Sequence, residues 1–441
     1  MVMTELEQAA RGLLVAKRYR AARRLLAAQP DLSAQGHALL GRAHLGMKDF
    51  EPALDHLRRA AALDPGDIDI RVHLARALTA AGSPHLAVTL LEPLAAAPEV
   101  DPPAWEALAS AYRLDARYED AIRLVSRAVA AGGVTGQLLY DQAMCQHALG
   151  DAAGALAVWD GLLDSRPDLA AAWFQSHAAA LQVIGMDNAL DRLRRAAECH
   201  GANGKYWAFL AAYALLEGRE ADAEVIIARP LRDRPHHLAL VDGVRALLPR
   251  LACDFRLFGC GADLLRHGVA LAERTGLVLE FGVRRGTSIN HIADAAGQDV
   301  HGFDSFEGLP EDWGTQPQGS FTTGLELPPV RPNVTLHPGW FSDTVRPFLA
   351  AHPGSLRFAN LDSDIYSSTS TVLTALADRL EPGVILVFDE FIGNRTWRDH
   401  EYKAFMECAA ETAIDYEYAA VCPFTGQVVV RVVASGRATQ P

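Results

Sequence analysis

Residues 277–292 read LVLEFGVRRGTSINHI, and this stretch decides the fold of the second half of the chain. Leu277, Val278 and Leu279 form a short apolar run of the kind buried in a parallel sheet. Glu280, Gly282 and Gly286 follow where the chain must turn sharply, and Thr287 or Ser288 can open a helix. Without side chains at Gly282 and Gly286 the backbone can approach a ligand closely, and a new helix offers it free N–H groups.

The spacing is not that of a dinucleotide fingerprint. Glycines stand at the first and fifth places of Gly282–Gly286, and an acid sits two places before the first of them. A carboxylate at Glu280 repels a diphosphate, yet it can accept hydrogen bonds from a cationic amino end such as that of S-adenosylmethionine. A second acid, Asp304, ends the strand-like DVHGFD of residues 299–304. There it is placed to take both ribose hydroxyls of such a cofactor.

Strand and helix patterns then alternate. Gly261–Glu273 reads as a helix, and Val300–Phe303, Val334–Leu336, Leu356–Leu361 and Val384–Phe388 read as strands, with a helix over Ser368–Leu380. Tyr416–Val421 and Gln427–Val433 are separated by only five residues, which requires an antiparallel pair. The expectation is an α/β, Rossmann-like domain whose parallel sheet carries an antiparallel edge hairpin.

Several motifs in this half carry a family resemblance: HGFDSFEGLPEDW (301–313), GWFSDT (339–344), LDSDIYSST (361–369) and FDEF (388–391), followed by WRDHEYKAF (397–405). In this order they resemble the macrocin O-methyltransferase family, within the first class of S-adenosylmethionine-dependent methyltransferases. The resemblance implies methyl transfer from S-adenosylmethionine to a hydroxyl, commonly on a sugar, with Mg²⁺ or Mn²⁺. By position it implies that Glu280, Gly282, Gly286 and Asp304 bind the cofactor with Ser305 and Phe306 beside them, and that Trp340 and Phe341 enclose its adenine; Thr287 and Ser288, at the helix start, are further cofactor-binding candidates. It also places Asp362, Asp364, Asp389 and Glu390 in acidic metal-site motifs. Antibiotic-sugar members carry two aspartates after the fifth strand, where this chain has Asp389–Glu390 and then W-x-x-H-E-x-K-A-F. Carboxylates at the ends of adjacent strands suit a hard cation that orients and acidifies a hydroxyl. Asp364 and His400 are the candidate bases.

The first half is alanine-rich and periodic. Ala53, Ala87, Ala121, Ala155, Ala189 and Ala223 recur every 34 residues, with Leu57, Leu91, Val125, Trp159, Leu193 and Ile227 four places later. Trp105, Trp173 and Trp207 precede three of the units, and Pro65, Pro167 and Pro235 stand where a proline stops a helix. Tyr19 and Ala22 match Phe50 and Ala53 with a shift of three residues. The pattern resembles the tetratricopeptide repeat, about seven helix–turn–helix units forming an all-α solenoid, because one helix pair cannot bury its apolar face alone. The boundaries expected are a repeat solenoid over 1–237, a capping helix and linker over 238–258, and the methyltransferase-like domain over 259–441. Such an array suits a protein partner or self-association.

Composition narrows the partners. The net charge is −13, and from Leu251 onward 14 Lys and Arg face 24 Asp and Glu. An acidic catalytic half disfavours nucleic acid. The sequence shows no long apolar run and no apolar-cored leader, so a cytoplasmic chain without membrane contact is expected. Six cysteines without C-x-x-C spacing suggest free thiols rather than zinc or a disulfide framework. The leading expectation is an O-methyltransferase acting on a small-molecule or glycan hydroxyl. A methyltransferase of a protein or carrier-bound group held by the repeats, and a silent scaffold, are the alternatives.

Overall fold

The computed structural model describes residues 4–95, 101–314, 316–435, so the extremes of the expected domains at 1–3 and 436–441 lie outside the described residues. The chain groups into two compact units, Met1–Cys145 and Gln146–Pro441.

Among the described residues fourteen helices come first, as seven helix–turn–helix units: α1 Glu5–Val15 and α2 Tyr19–Ala27, α3 Ala34–Gly46 and α4 Phe50–Leu63, α5 Ile68–Ala80 and α6 Pro84–Ala95, α7 Pro102–Leu114 and α8 Tyr118–Ala130, α9 Gly136–Ala148 and α10 Ala152–Ser165, α11 Ala170–Ile184 and α12 Met186–Glu198, α13 Lys205–Leu216 and α14 Glu220–Ala228. The six alanines of the 34-residue register are all fully buried. At the first of them two helices come close: a Cβ on Gly41 would meet the Ala53 carbonyl oxygen at 3.1 Å. Ala22 is fully buried as well, as the three-residue shift of the first unit requires.

The turns inside the units share a second register. Lys48, Gly82, Ala116, Gly150 and Gly218 all have positive φ, between 56° and 83°. They stand at multiples of 34 residues, and Lys17, at φ 55°, keeps the shift of the first unit. Pro65 and Pro167 follow the ends of α4 and α10 closely, whereas α14 stops at Ala228, well before Pro235.

In the second unit, α15 (Ala239–Leu247) is the expected capping helix. The residues beyond it are not a linker. Leu251–Leu257 form strand β1, which pairs in parallel with β7 (Asp415–Cys422). Then follow α16 Gly261–Leu271, β2 Leu277–Phe281, α17 Thr287–Ala296, β3 Val300–Asp304, β4 Val334–Pro338, α18 Phe341–Ala351, β5 Leu356–Leu361, α19 Tyr366–Leu376, β6 Ile385–Phe388, α20 Glu401–Thr412 and, after β7, β8 Gln427–Ala434. The sheet order is β1-β7-β8-β6-β5-β2-β3-β4. Strands β2 to β6 are mutually parallel, and β8 runs antiparallel to both neighbours. This is the expected parallel sheet with an antiparallel hairpin, extended by one strand.

One hydrophobic core runs from the last repeats into the sheet. Ala208, Leu215, Val241 and Val244 share a cluster with Phe281, Leu361, Phe388 and Val430. Two glycines permit the contact. A Cβ on Gly243 would fall 2.7 Å from Ile392, and one on Gly259 would overlap the carbonyl oxygen of Ala178 in α11. Among the described residues no helix is long and apolar enough to cross a membrane.

Candidate active site

The carboxyl ends of β2, β3, β5 and β6 open on the same side of the sheet because these strands are parallel. Backbone bonds carry the alignment beyond them: Gly282 donates to Phe303 at 2.9 Å, Asp362 to Phe281 at 2.8 Å, and Asp389 to Leu361 at 3.0 Å. A Cβ on Gly282, whose φ is +96°, would overlap the Asp362 carbonyl oxygen. Glycine there lets the β2 loop lie against the end of β5. Gly286, at φ +82°, precedes α17, which Thr287 opens as expected.

Glu280 lies fully buried on β2 beside Asn360 of β5, whose Nδ2 donates to Glu280 Oε1 at 2.9 Å. Burial pushes its carboxyl up to about 8, against hydrogen bonds from Ser288 and Asn360 that lower it. Among the described residues its Oε2 has no hydrogen-bond partner. A buried acceptor left open in this way is costly unless a ligand completes it.

Asp304 has a structural task that the sequence did not show. Its Oδ2 accepts the backbone N–H of Val283 at 2.8 Å and of Arg284 at 2.7 Å, while Oδ1 accepts that of Phe306 at 2.7 Å. The residue expected to face a ribose therefore also clamps the glycine loop. Ser305 is half-buried, and Phe306, at φ +58°, is buried against Val283 and Ile289. Trp340 is half-buried at the start of α18, and Phe341 meets Phe281 edge-on at 5.8 Å.

The acids form a second group. Asp362 and Asp364 follow β5, Asp389 and Glu390 follow β6, and all four are half-buried. Burial and the charge of Asp389 hold Asp362 well above the usual carboxylate range and push Asp364 to about 7, with Arg284 opposing. Burial pushes Asp389 up to about 6, against a hydrogen bond from Gln427. Glu390 is pushed to about 9 by burial and by the charges of Asp364 and Asp389. Asp364 also has φ +59°, an uncommon backbone conformation for a residue other than glycine. Among the described residues no three His, Cys, Asp or Glu side chains come together as a metal-ion site. The hard oxygen donors and their mutual repulsion suit a divalent cation. They are not arranged as a ready-made cage.

His400 stands apart from these acids. Its ring meets Trp313 edge-on at 6.2 Å, its buried Nδ1 has no partner among the described residues, and burial lowers its pKa against the charges of Asp399 and Glu311. Its neighbour Glu401 went unnoticed in the sequence, yet it is fully buried and ties the two acidic loops together. Its carboxylate accepts the N–H of Ser363 at 3.4 Å and of Glu390 at 2.9 Å. Asn360 and Gln427 were missed as well, since nothing in a single sequence marks an amide on one strand as the partner of an acid on another.

Residues 279–391 match a family profile described as a methyltransferase domain, and residues 44–112 match a tetratricopeptide repeat profile. Over 157 residues the chain is 30% identical to 8-demethyl-8-(2,3-dimethoxy-alpha-L-rhamnosyl)-tetracenomycin-C 4'-O-methyltransferase of Streptomyces olivaceus. That stretch is 30% of this chain and 57% of the relative, so the chain spans little more than half the length of that enzyme. Among solved structures, the calicheamicin methyltransferase CalS11 aligns at 23% identity over 51% of this chain and 91% of its own, with a TM-score of 0.32. A tetratricopeptide repeat protein of Parabacteroides merdae aligns at 13% identity over 51% of this chain and 91% of its own, with a TM-score of 0.43. The two profiles put tetratricopeptide repeats in the first half of the chain and a methyltransferase domain in the second.

Proposed function

We propose that the protein is an S-adenosylmethionine-dependent O-methyltransferase acting on a small-molecule or glycan hydroxyl, with the repeats as a recognition arm for a partner or a second copy. The observation that carries this reading is Glu280, a buried carboxylate with one unpartnered oxygen beside a glycine loop. It suits the ammonium group of the cofactor's amino-acid end. Thr287 and Ser288 offer the first amides of α17 next to it. Asp304 completes the cofactor site, because Oδ1 keeps a second lone pair for a ribose hydroxyl after taking the Phe306 amide. Ser305, Phe306, Trp340 and Phe341 flank the adenine side in the same proposal.

In the reaction the acceptor oxygen attacks the sulfonium methyl in line. The C–S bond breaks to leave S-adenosylhomocysteine, and the hydroxyl proton passes to a base. Asp364 is the better base, since a carboxyl pushed to about 7 can hold that proton at neutral pH. His400 is the second candidate. Glu401 fixes the spacing of the Asp362–Asp364 and Asp389–Glu390 loops. We include Mg²⁺ or Mn²⁺ in the proposal, held by Asp362, Asp364, Asp389 and Glu390. When bound, it would lower the pKa of the acceptor hydroxyl.

Mass spectrometry of host extract incubated with the protein and methyl-labelled S-adenosylmethionine tests the reading. A labelled small molecule or glycan supports it, and a labelled protein would move the acceptor to the alternative of a carrier-bound substrate. No label together with no cofactor binding by calorimetry would reject it. Loss of turnover in EDTA, restored by Mg²⁺, supports the cation, and full turnover in metal-free enzyme removes it.

A further inference from the structure

The first repeat unit has a charge pattern unlike the rest of the chain. Residues 8–30 hold six cations, Arg11, Lys17, Arg18, Arg20, Arg23 and Arg24, and no acid. The chain carries −13 overall, so the remainder carries −19 against this +6. Arg23 is half-buried and the other five are exposed.

Farther along the repeats, several arginines are paired with nearby acids. Arg113 holds Asp141 at 2.6 Å, Arg192 holds Asp160 at 2.6 Å, and Arg117 bridges Glu92 at 2.9 Å and Asp120 at 2.7 Å. Among the described residues none of the six cations of the first unit has such a pair. Uncompensated like charges repel one another, so the cluster is unfavourable unless something anionic approaches it.

The cations also line a shaped surface. The turn between α1 and α2 and the turn between α3 and α4 enclose an open groove of about 740 Å³, walled by Lys17, Arg18, Arg20 and Arg23 with Met47 and Asp49 opposite. Two close fits build it. Lys17 takes φ 55°, which turns the chain sharply into α2. Tyr19 lies so close over Gly46 that a Cβ there would overlap its ring.

We propose that this groove is a docking site for a short acidic peptide segment of a partner protein. Charge complementarity selects an anionic ligand, and the shape selects a short one. A longer polyanion such as a nucleic acid would run off the patch onto a chain carrying −19. Asp49 in the groove wall opposes phosphate groups, while it can accept the backbone N–H of a peptide. The proposal rests on the repeats being a recognition arm and is independent of the methyl-transfer chemistry.

The test uses the full chain and a fluorescein-labelled peptide of alternating Asp and Glu, about eight residues long, followed by anisotropy. Saturable binding that weakens as salt rises from about 50 to about 150 mM is expected. The Arg18→Glu/Arg20→Glu/Arg23→Glu variant should lower affinity about tenfold or more, the size expected for three exposed charge contacts. The neutral variant with Gln at the same positions should fall between, and it serves if the reversed one fails to fold. Arg229→Glu/Arg232→Glu/Arg234→Glu, an equal change of charge on exposed arginines elsewhere, should bind as the native chain does. Equal loss in that control, or tighter binding of an oligonucleotide of the same charge or of anionic vesicles, overturns the proposal. Peptide binding untouched by the groove variants would keep the recognition arm and remove this site, whereas no peptide binding at all removes both.

Discussion

Asp304 and Arg284 are joined by a 2.7 Å hydrogen bond in which the carboxylate Oδ2 accepts the backbone N–H. The same oxygen takes the N–H of Val283, so a side chain at the end of β3 sets the shape of the loop that follows β2. Asp304→Ala should therefore do two things at once. It should lower Tm by freeing three backbone donors, and weaken S-adenosylmethionine binding by about 1.5–3 kcal/mol, the range for hydrogen bonds to a charged group. Calorimetric titration with a thermal melt checks this. A lower Tm with unchanged affinity would leave Asp304 as a loop clamp alone.

Glu280 gives a pH-dependent prediction. Its carboxyl is raised to about 8 in the fold from an ordinary value of 4.5. The folded protein thus holds this proton more tightly than the unfolded chain, and the group's contribution to stability is full below 4.5 and lost as pH rises through 8. Glu280→Gln lacks the charge, so its Tm advantage over the native protein should grow from pH 5 to 8 and level off above that. The variant should also lose S-adenosylmethionine binding. A Tm difference independent of pH would show that Glu280 is ionised throughout.

The placement of the later repeats predicts how the chain can be cut. A fragment starting at Gln146 keeps the core that Ala208, Leu215 and Val244 share with Phe281 and Phe388, and should fold and bind cofactor. One starting at Leu251 exposes that apolar surface and should aggregate or melt at a lower temperature. Circular dichroism and cofactor titration of the two fragments decide the matter. Equal behaviour would place the independent boundary at the end of the repeat register.

Gly259→Ala tests the same contact by sterics. The added methyl would overlap the Ala178 carbonyl oxygen, a backbone atom that cannot rotate away. Loss of several kcal/mol is expected, at the upper end for an overpacked site. In calorimetry the transition of Gln146–Pro441 should move down while that of Met1–Cys145 stays in place. An unshifted melt would mean that α11 yields without cost.

Much of this was legible in the sequence, for identifiable reasons. The 34-residue alanine register could be read because close helix crossings admit only a small side chain, and all six alanines are buried. The β2 loop was legible because Gly282 and Gly286 do have positive φ. The left-handed turns at Lys48 and Ala116 were not, since neither residue type signals that conformation. Strand β1 was hidden because LACDFRL alternates only loosely and follows Pro249, which looks like the start of a linker. The clamp by Asp304 and the tie by Glu401 escaped because each holds backbone amides of another loop, and such partners leave no trace in side-chain spacing.

Strand β1 has a consequence for the order of synthesis. It is made well before β7, its only strand partner among the described residues, whose other neighbour, β8, ends at Ala434. Helices of the first unit contact their own sequence neighbours and can fold as they leave the ribosome. The second unit cannot close its sheet until β8 has emerged. During that interval β1 carries only what its own sequence supplies, and Asp254 and Arg256 give it opposite charges that discourage pairing with another nascent chain. The connector between repeats and catalytic sheet is thereby also a segment that must wait for its place.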